Sequence, residues 1–504
     1  MSFYDKFVSG LPGIEEPKTH LNFITRLKWT ALVLLIFLLL GQITLYGLSA
    51  GALPRLQFFE LILGASLGTL MTLSIGPIVT SSIILQLLVG SKILSWDTKS
   101  KEGKKRFQGT QKLLAIFFSF FEAYAFVAFG ALPPASPDMF LILVAQIAFG
   151  GVLVLYMDEI VSKWGIGSGV SLFIAAGVSK QIFVRIFNPI TPEGQTVPAG
   201  LLLQFFTFMT LGEVFQAFIA LLPIIATIIV FFIVVYIQAI RVEIPIAFAS
   251  VRGYSRRWPL NLMYTSNIPV ILVGALIANL QFMATLSSRV TESGLRCGFL
   301  GCIDTNGLPV SGIISFLSPP GDLQTQIFFM ILLAVVFTAG FLAFYLKYQN
   351  ALKVLLASIV VGFVLAVLVT NFSIGLPTAA ASLNALVYLT AFVVGSVVFS
   401  VFWVSTSGMD SRAVAEQIND MGMSVPGFRR DPRIVGQVLD RYIPILTVLS
   451  GLIIGLIAAI ADFTSAVGTG TGILLTVSII HNMYEQIAMR YAEDMHPALR
   501  KFFK

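Results

Sequence analysis

The residues that could carry out chemistry are few, and their spacing does not match a catalytic or metal site. The chain has only 3 histidines, His20, His481 and His496, and no His-Glu-x-x-His pair that could hold a metal ion beside a general base. The glycine clusters at 165–169 and 468–472 read Gly-x-Gly-x-Gly, which is not the dinucleotide-binding pattern, and there is no Gly-x-x-x-x-Gly-Lys phosphate loop. The sequence therefore predicts a protein that is not an enzyme and that uses no metal or other cofactor.

The composition indicates the kind of element that positions the remaining residues. Of the 504 residues, 57% are apolar and 11% are charged, whereas about a quarter of the residues of a soluble domain are charged. A helix needs about 20 apolar residues to cross the hydrocarbon core, and twelve runs reach about that length. The expected fold class is an all-α, polytopic helical membrane protein. Its predicted spans lie near 29–49, 73–94, 112–132, 139–157, 168–187, 214–240, 265–286, 327–346, 351–370, 383–404, 442–460 and 470–489.

Lysine and arginine set the orientation of these spans. With the N-terminus inside, the 32 basic residues divide 27 to 3 between cytoplasmic and external segments, and Lys180 and Arg185 fall within a span. Loops rich in lysine and arginine stay on the cytoplasmic side of a membrane. We therefore expect a multi-pass protein of the cell membrane with both termini in the cytoplasm.

Two of the cytoplasmic loops, 241–264 and 405–441, contain more arginine than orientation requires. Retention on the inside accounts for any single arginine equally well. Guanidinium groups fit phosphate oxygens in a bidentate manner, so the clusters favour a polyanionic cytoplasmic partner. The predicted docking residues are Arg252, Arg256, Arg257, Arg429, Arg430 and Arg433.

Four spans carry proline and glycine motifs that occur in pairs. Ser74-Ile-Gly-Pro77 in the second span matches Ser266-Asn-Ile-Pro269 in the seventh, and the Gly-x-Gly-x-Gly clusters open the fifth and last spans. On the predicted topology the members of each pair enter the membrane from opposite faces. This pattern is typical of two halves related by an inverted repeat, which meet around a functional site at the midplane.

The residues expected near that midplane are aliphatic. The charges at membrane depth are few, chiefly Glu122, Lys180 and Asp462, whereas an ion-coupled transporter lines its site with such groups. Branched aliphatic side chains instead form a constriction that excludes water and ions by dewetting. A secondary transporter built from inverted repeats is the alternative function.

Nine stretches of the sequence are specific enough to indicate a family. They are Leu73–Thr80, Ile84–Ser91, Ser162–Gly169, Leu172–Val178, Arg241–Pro245, Ser266–Leu272, Pro426–Arg430, Gly468–Ser478 and Met483–Gln486. In this order they resemble SecY, the channel subunit of the protein translocon, in its archaeal form. The resemblance covers nearly the whole chain apart from about residues 287–382. It implies two inverted halves, residues 1–188 and 189–504, that close around an hourglass-shaped pore.

The resemblance also implies a pore ring and a plug. Ordinary helix packing, or a helix at the membrane interface, would select similar residues. The ring residues would be Ile75 and Val79 in the second span, Val170 and Ile174 in the fifth, Ile271 in the seventh and Leu475 in the last. The plug, a short helix near 55–66 in the external funnel, would include Arg55, Leu56, Phe58, Phe59, Leu61 and Ile62.

In the family, spans two and three separate from spans seven and eight to open a lateral gate into the lipid. Thr80, Glu122 and Asn279 match the polar positions of that seam. A neutral carboxyl group that is hydrogen-bonded between helices is a second and compatible interpretation of Glu122.

The function implied by the resemblance is that of the central subunit of a protein-conducting channel. It would translocate unfolded secretory polypeptides and insert membrane proteins through the lateral gate. The implied partners are SecE-type and Secβ-type small membrane subunits, the ribosome through its RNA, the signal-recognition-particle receptor system, nascent polypeptides and the lipid bilayer.

Two features lie outside the family pattern. Residues 327–346 and 351–370 are expected to form an added hairpin, which gives twelve spans instead of ten and which we expect at the periphery beside the gate. Cys297 and Cys302 lie in an external loop, where a disulfide can form. The sequence does not distinguish that disulfide from two free thiols.

Overall fold

The described part of the chain is mainly helical, and each of the twelve predicted spans overlaps a helix, although the first helix, Phe23–Leu40, ends nine residues before the predicted span 29–49 does. Eight helices are long and apolar enough to cross a membrane, and four shorter apolar helices accompany them among the described residues. The chain is a multi-pass helical membrane protein. The computed structural model describes residues 12–494 except 20, 50–67, 91–92, 95, 97–99, 131, 192–195, 249–254, 266–267, 291–294, 305–308, 346–350, 374, 421–422, 425–431 and 469.

Five α-helices precede residue 188, and nine longer ones together with the single turn Ile313–Phe316 follow it in the described segments. The first five are α1 (Phe23–Leu40), α2 (Gly76–Gly90), α3 (Lys101–Ala128), α4 (Phe140–Trp164) and α5 (Gly169–Phe187). The later helices are α6 (Leu201–Leu211), α7 (Val214–Ala239), α8 (Ile268–Ser287), α9 (Leu323–Tyr345), α10 (Ala351–Ser373), α11 (Ala379–Thr406), α12 (Ser411–Asp420), α13 (Pro432–Phe463) and α14 (Gly470–Asp494).

Local residues determine where several of these helices begin and end. The Ser100 side chain accepts the backbone N–H of Gly103 at the beginning of α3, over 3.0 Å. The Thr378 side chain does the same for Ala381 at the beginning of α11, over 3.2 Å. Such caps satisfy N–H groups that have no partner within the helix. Gly212 ends α6 in the left-handed conformation, with φ at 79°, where glycine is favoured.

Helices α11 and α13 pack closely because small residues face each other. A Cβ atom at Gly451 would lie 2.6 Å from Ser400 Oγ, and one at Gly455 would lie 3.0 Å from Ser396 Oγ. Gly451 and Gly455 lie one helical turn apart on α13, and Ser396 and Ser400 lie one turn apart on α11. Small residues at this spacing let membrane helices approach closely, since van der Waals packing drives their association.

The first five helices meet the later ones along two lines of contact. On one side α2 packs against α8 and α11, and on the other side α5 packs against α14. The apolar cores are shared across this boundary. Leu475 belongs to the core built mainly by α1–α5, and Ile83 belongs to the core built mainly by the later helices.

The added hairpin is formed by α9 and α10, and its position differs from the prediction. Phe328 packs on Phe363 of α10 with ring centroids 5.6 Å apart, and Phe329 packs on Phe463 of α13 at 4.6 Å. Helix α9 also contacts α7. Val360 of α10 is 64% exposed, so the hairpin is peripheral. It lies on the α7 and α13 side, and the prediction that it lies beside the gate was wrong because neighbours in sequence do not fix packing partners.

The two arginine-rich loops contain strands that pair with each other. In the antiparallel hairpin of β1 and β2, Ile246 lies opposite Arg256, and Ala247 of β1 lies opposite Ser424 of β7. Helix α12 packs on α13 beneath this sheet through buried residues that include Ile418 and Leu439. The strands are β1 (Arg241–Phe248), β2 (Ser255–Asn261) and β7 (Met423–Ser424).

A second small sheet follows α8, in the loop that the sequence predicts to lie on the external side of the membrane. Cys297 and Cys302 lie directly opposite each other in adjacent strands and form a disulfide. The structure thus selects the disulfide from the two alternatives that the sequence left open. The strands are β3 (Arg289–Val290), β4 (Arg296–Gly298), β5 (Gly301–Ile303) and β6 (Pro309–Gly312).

Candidate functional site

Helices α2, α5, α8 and α14 converge, and each begins at one of the paired motifs. Helix α2 contacts α8, α8 contacts α14, and α14 contacts α5. Pro77 is the second residue of α2 and Pro269 is the second residue of α8. Proline fits the first turn of a helix because its missing N–H would have no partner there. The equal placement of the two prolines makes α2 and α8 structural equivalents.

The predicted ring residues occupy matching positions on these helices. Val79 and Ile271 each lie three residues after the first residue of α2 and α8, respectively. Ile174 and Leu475 each lie five residues after the first residue of α5 and α14. The fifth ring residue, Ile75, directly precedes α2, and its carbonyl oxygen accepts the N–H of Val79 over 3.0 Å.

All six predicted ring residues lie in one apolar cluster. Ile75, Ile174 and Leu475 are buried members of it, and each is only 7–8% exposed. The partly buried side chains that pack against the same cluster include Val79, Val170 and Ile271. The six predicted ring residues therefore pack in one apolar region of the structure. Aliphatic side chains offer an ion nothing in exchange for its hydration shell, so a closed constriction built from them would exclude both water and ions.

The polar residues predicted for the gate do not form a single contact among the described residues. Thr80 of α2 donates a hydrogen bond to Glu122 Oε1 of α3 over 3.2 Å. This bond joins two helices on the same side of the seam. Asn279 lies on the other side in α8, and no hydrogen bond among the described residues connects it to that pair. The bond agrees with the hydrogen-bonding part of the second interpretation of Glu122, in which a neutral carboxyl group is hydrogen-bonded between helices.

The two predicted docking loops are brought together, although most of their arginine side chains lie outside the described residues. The backbones of Arg256 and Arg257 lie in β2. Arg433 is exposed near the beginning of α13. The remaining docking positions, Arg252, Arg429 and Arg430, lie outside the described residues, as do all six plug positions between 50 and 67.

A tyrosine strengthens the connection between these loops. The Tyr264 hydroxyl donates a hydrogen bond to the backbone carbonyl of Met409 over 2.6 Å. Burial and the nearby negative charge of Asp410 raise the pKa of Tyr264 to about 12. The hydroxyl therefore keeps its proton, and this hydrogen bond, throughout the physiological pH range. The two loops thus form one connected surface, which we call the loop platform.

Two residues near the ring were not assigned a role from the sequence. Asp158 of α4 and Asp462 of α13 each accept a backbone N–H at the beginning of the helix that follows. The sequence does contain a pattern that would have identified them, since each aspartate precedes a Gly-x-Gly-x-Gly cluster by six or seven residues.

Comparisons with known proteins agree with this arrangement. The SecY family model matches residues 69–484 of the chain. The protein translocase subunit SecY of Methanothermobacter thermautotrophicus is 40% identical over 509 residues, which cover 99% of this chain and 98% of that protein. The same subunit from Methanococcus vannielii is 37% identical over 98% of this chain and 97% of its own length.

Solved structures also match over nearly the whole chain. One described as "The structure of a protein conducting channel" has a TM-score of 0.76 and 37% identity, and it covers 98% of each chain. The chain of "Sec61 in the Canine ribosome-channel complex from the endoplasmic reticulum" has a TM-score of 0.74, 37% identity and the same coverage. A matching family model, together with relatives of this identity and coverage, shows that the chain belongs to the SecY family.

Proposed function

We propose that the chain is the central, channel-forming subunit of a protein translocase and that the six-residue ring is its constriction. One observation supports the constriction most directly. Six aliphatic residues, five from four helices and one that directly precedes α2, lie in a single apolar cluster, and four of them are at matching positions of paired helices. The same matching supports the division into halves at residues 1–188 and 189–504. A secondary transporter is not supported, since the relatives are protein translocase subunits and the similar structures are channels.

The ring accounts for the ability to conduct polypeptides of any sequence. Dispersion contacts have no direction, and aliphatic side chains adapt to whatever passes between them. The ring can therefore surround an unfolded chain without reading its sequence and close again once the chain has left. It acts as a seal of adjustable width, without catalysis.

The seam between α2 on one side and α8 and α11 on the other is the proposed lateral gate. When it opens, the gate would expose a polypeptide segment in the pore to lipid. The segment would then partition between the aqueous pore and the hydrocarbon core of the membrane. Each central Leu or Ile favours the membrane by a few tenths of a kcal/mol, and each charge opposes it by about 3 kcal/mol. Thr80 and Glu122 would hold α2 and α3 together as one moving side of the gate, with Asn279 facing them from α8.

The loop platform is the proposed docking surface for the ribosome. It joins the two arginine-rich loops in one sheet, and guanidinium groups suit the phosphates of ribosomal RNA. A similar chain is part of a canine ribosome–channel complex. We further propose SecE-type and Secβ-type small subunits and the signal-recognition-particle receptor system as partners. The proposed location is the cell membrane, with both termini in the cytoplasm.

Reconstituted translocation tests this function. The chain is co-expressed with candidate SecE-type and Secβ-type subunits, and the complex is purified into vesicles and supplied with ribosomes that synthesise a secretory precursor. We expect the precursor to become protected from added protease until detergent opens the vesicles. Protease sensitivity equal to that of empty vesicles, with ribosomes bound, would contradict the function. Uptake of small solutes without precursor protection would favour the transporter.

A further inference from the structure

The beginning of α5 is held by a carboxylate from the preceding helix. Asp158 Oδ1 of α4 accepts the backbone N–H of Val170 over 2.9 Å. Val170 is the second residue of α5 and is itself one of the six ring residues. The residue before the helix, Ser168, makes no side-chain cap. The carboxylate therefore does the work that a local N-cap performs in most helices.

The beginning of α14 is held in the same way at the matching position of the other half. Asp462 Oδ1, near the end of α13, accepts the backbone N–H of Gly470 over 2.6 Å. Its second oxygen, Oδ2, accepts the hydroxyl hydrogen of Tyr388 from α11 over 2.8 Å. Both aspartates thus bridge two consecutive helices, in an order that repeats between the halves.

The paired glycine clusters are explained by this contact. A Cβ atom at Gly169 would lie 2.5 Å from the Cα of Asp158, and one at Gly470 would lie 2.2 Å from the carbonyl oxygen of Ala458. Real Cβ atoms do not approach so closely, so only glycine lets the helix begin against its predecessor. The glycine that opens each helix therefore brings the backbone N–H groups within reach of the aspartate.

We infer that Asp158 and Asp462 are positioning residues of the pore ring. Each fixes the first turn of a helix whose ring residue, Ile174 or Leu475, lies five residues further on. N–H groups without partners and the partial positive charge at a helix N-terminus both favour a carboxylate there. Without it, the first turn can unwind or tilt and carry the ring side chain out of contact. This inference rests on the proposed function of the ring.

The two positions differ in one respect that gives Asp462 a second role. Tyr388 belongs to α11, which packs on α13 and also faces α2 across the proposed gate. Asp462 therefore connects a gate helix to a ring helix through one carboxylate. The hydrogen bonds described for Asp158 join only α4 and α5. Movement of α11 at the gate is thus transmitted to the ring on the α14 side.

Resting ion conductance of the purified, reconstituted channel complex tests the inference. The variants D158A and D462A remove the acceptor, whereas D158N and D462N keep a side-chain oxygen. Loss of an N-cap favours the displaced helix end, so we expect about fivefold or more conductance in the alanine variants. The asparagine variants should stay within about twofold of the unchanged protein, because asparagine also caps helices well.

E159A is the matched control for loss of a carboxylate from α4. Glu159 pairs with Lys112 and Lys163 instead of with α5. E159A should lower the unfolding temperature without raising conductance. If D158A and D462A leak no more than E159A, or if the asparagine variants leak as much as the alanine variants, the inference is overturned.

A second variant keeps the test valid if an alanine variant does not fold. G169A retains Asp158 but pushes the beginning of α5 away from it, so it should leak as D158A does; a tight seal in folded G169A would overturn the inference. The ring variant I75S/I174S distinguishes failure of the positioning role of the aspartates from failure of the proposed ring. If it leaks and the aspartate variants do not, only the positioning role fails. If it is also tight, the proposed ring fails.

Discussion

Replacing Ile75 and Ile174 with serine should open the proposed ring to water and ions. Ile75 directly precedes α2 and Ile174 lies in α5, and each is 8% exposed within the same apolar cluster. Serine is smaller and carries a hydroxyl group, so the double variant I75S/I174S both widens the constriction and gives water a partner. The free energy of the dry, non-conducting state should therefore rise relative to that of the wet, conducting state.

The size of the effect follows from the apolar groups removed. Serine lacks three of the four side-chain carbons of isoleucine, which at about 0.8 kcal/mol per carbon gives roughly 2.4 kcal/mol per residue. Because each side chain also packs against neighbouring helices, we assign half of this loss to the pore, or about 2.4 kcal/mol for the double variant. Since about 1.4 kcal/mol is a factor of ten, the conducting state should gain roughly 50-fold in population.

The assay is the resting conductance of purified channel complexes in planar bilayers, normalised to the amount of protein incorporated. The matched control is I228S/I359S, which makes the same change at positions on α7 and α10 that are 50% and 42% exposed. These side chains lie outside the ring cluster. The control should conduct no more than the unchanged protein, and both variants should incorporate equally.

Two outcomes would refute the reasoning. If I75S/I174S conducts no more than the unchanged protein, the six residues do not seal the channel. If the control conducts as much as the ring variant, the leak reflects general destabilisation and not the ring. An intermediate effect from either single variant, I75S or I174S, would be consistent with additive contributions from neighbouring side chains.

Three further predictions concern the loops. Reversing the charge of four arginines of the two loops, with R256E, R257E, R429E and R430E, should weaken ribosome binding in a co-sedimentation assay. Binding by the unchanged protein should fall steeply with salt as counterions are released. Full binding by the variant, or binding that is independent of salt, would contradict this. A cysteine at Gln349, which lies outside the described residues, should react with impermeant maleimide only in opened cells, since the turn of the hairpin is expected inside; labelling of intact cells would refute that topology. Unfolded, unreduced protein should show no free thiol and reduced protein two, because the disulfide includes both cysteines of the chain; two thiols before reduction would exclude it.

The helices and the equivalence of their paired motifs could be predicted because their determinants are local. Apolar runs of about 20 residues define spans without knowledge of their neighbours. Pro77 and Pro269 mark equivalent helix beginnings, so Val79 and Ile271 fall at the same distance from them. The assignment of the individual ring residues rests on the family resemblance, since composition alone does not separate Ile174 from an ordinary packing residue.

The sheets and the hairpin position could not be predicted, since they depend on contacts between distant segments. Ala247 pairs with Ser424 across most of the second half of the chain, and two-residue strands leave no periodicity to read. Helix α9 packs against α7 and α13 through side chains such as Phe329. The hydrogen bond between Thr80 and Glu122 likewise depends on how α2 and α3 are rotated about their axes, which the sequence does not specify, although it does mark both residues as gate positions.

Site-specific crosslinking of a translocating chain tests the central claim most directly. A photoreactive amino acid is placed at Ile174 or Leu475, and a ribosome-bound secretory polypeptide is stalled in the reconstituted complex. A probe at Ile228, on the exposed face of α7, serves as the control. We predict that both ring positions capture the stalled polypeptide and that the control captures only lipid. Capture of the polypeptide at Ile228 but at neither ring position would show that polypeptides do not pass through the ring.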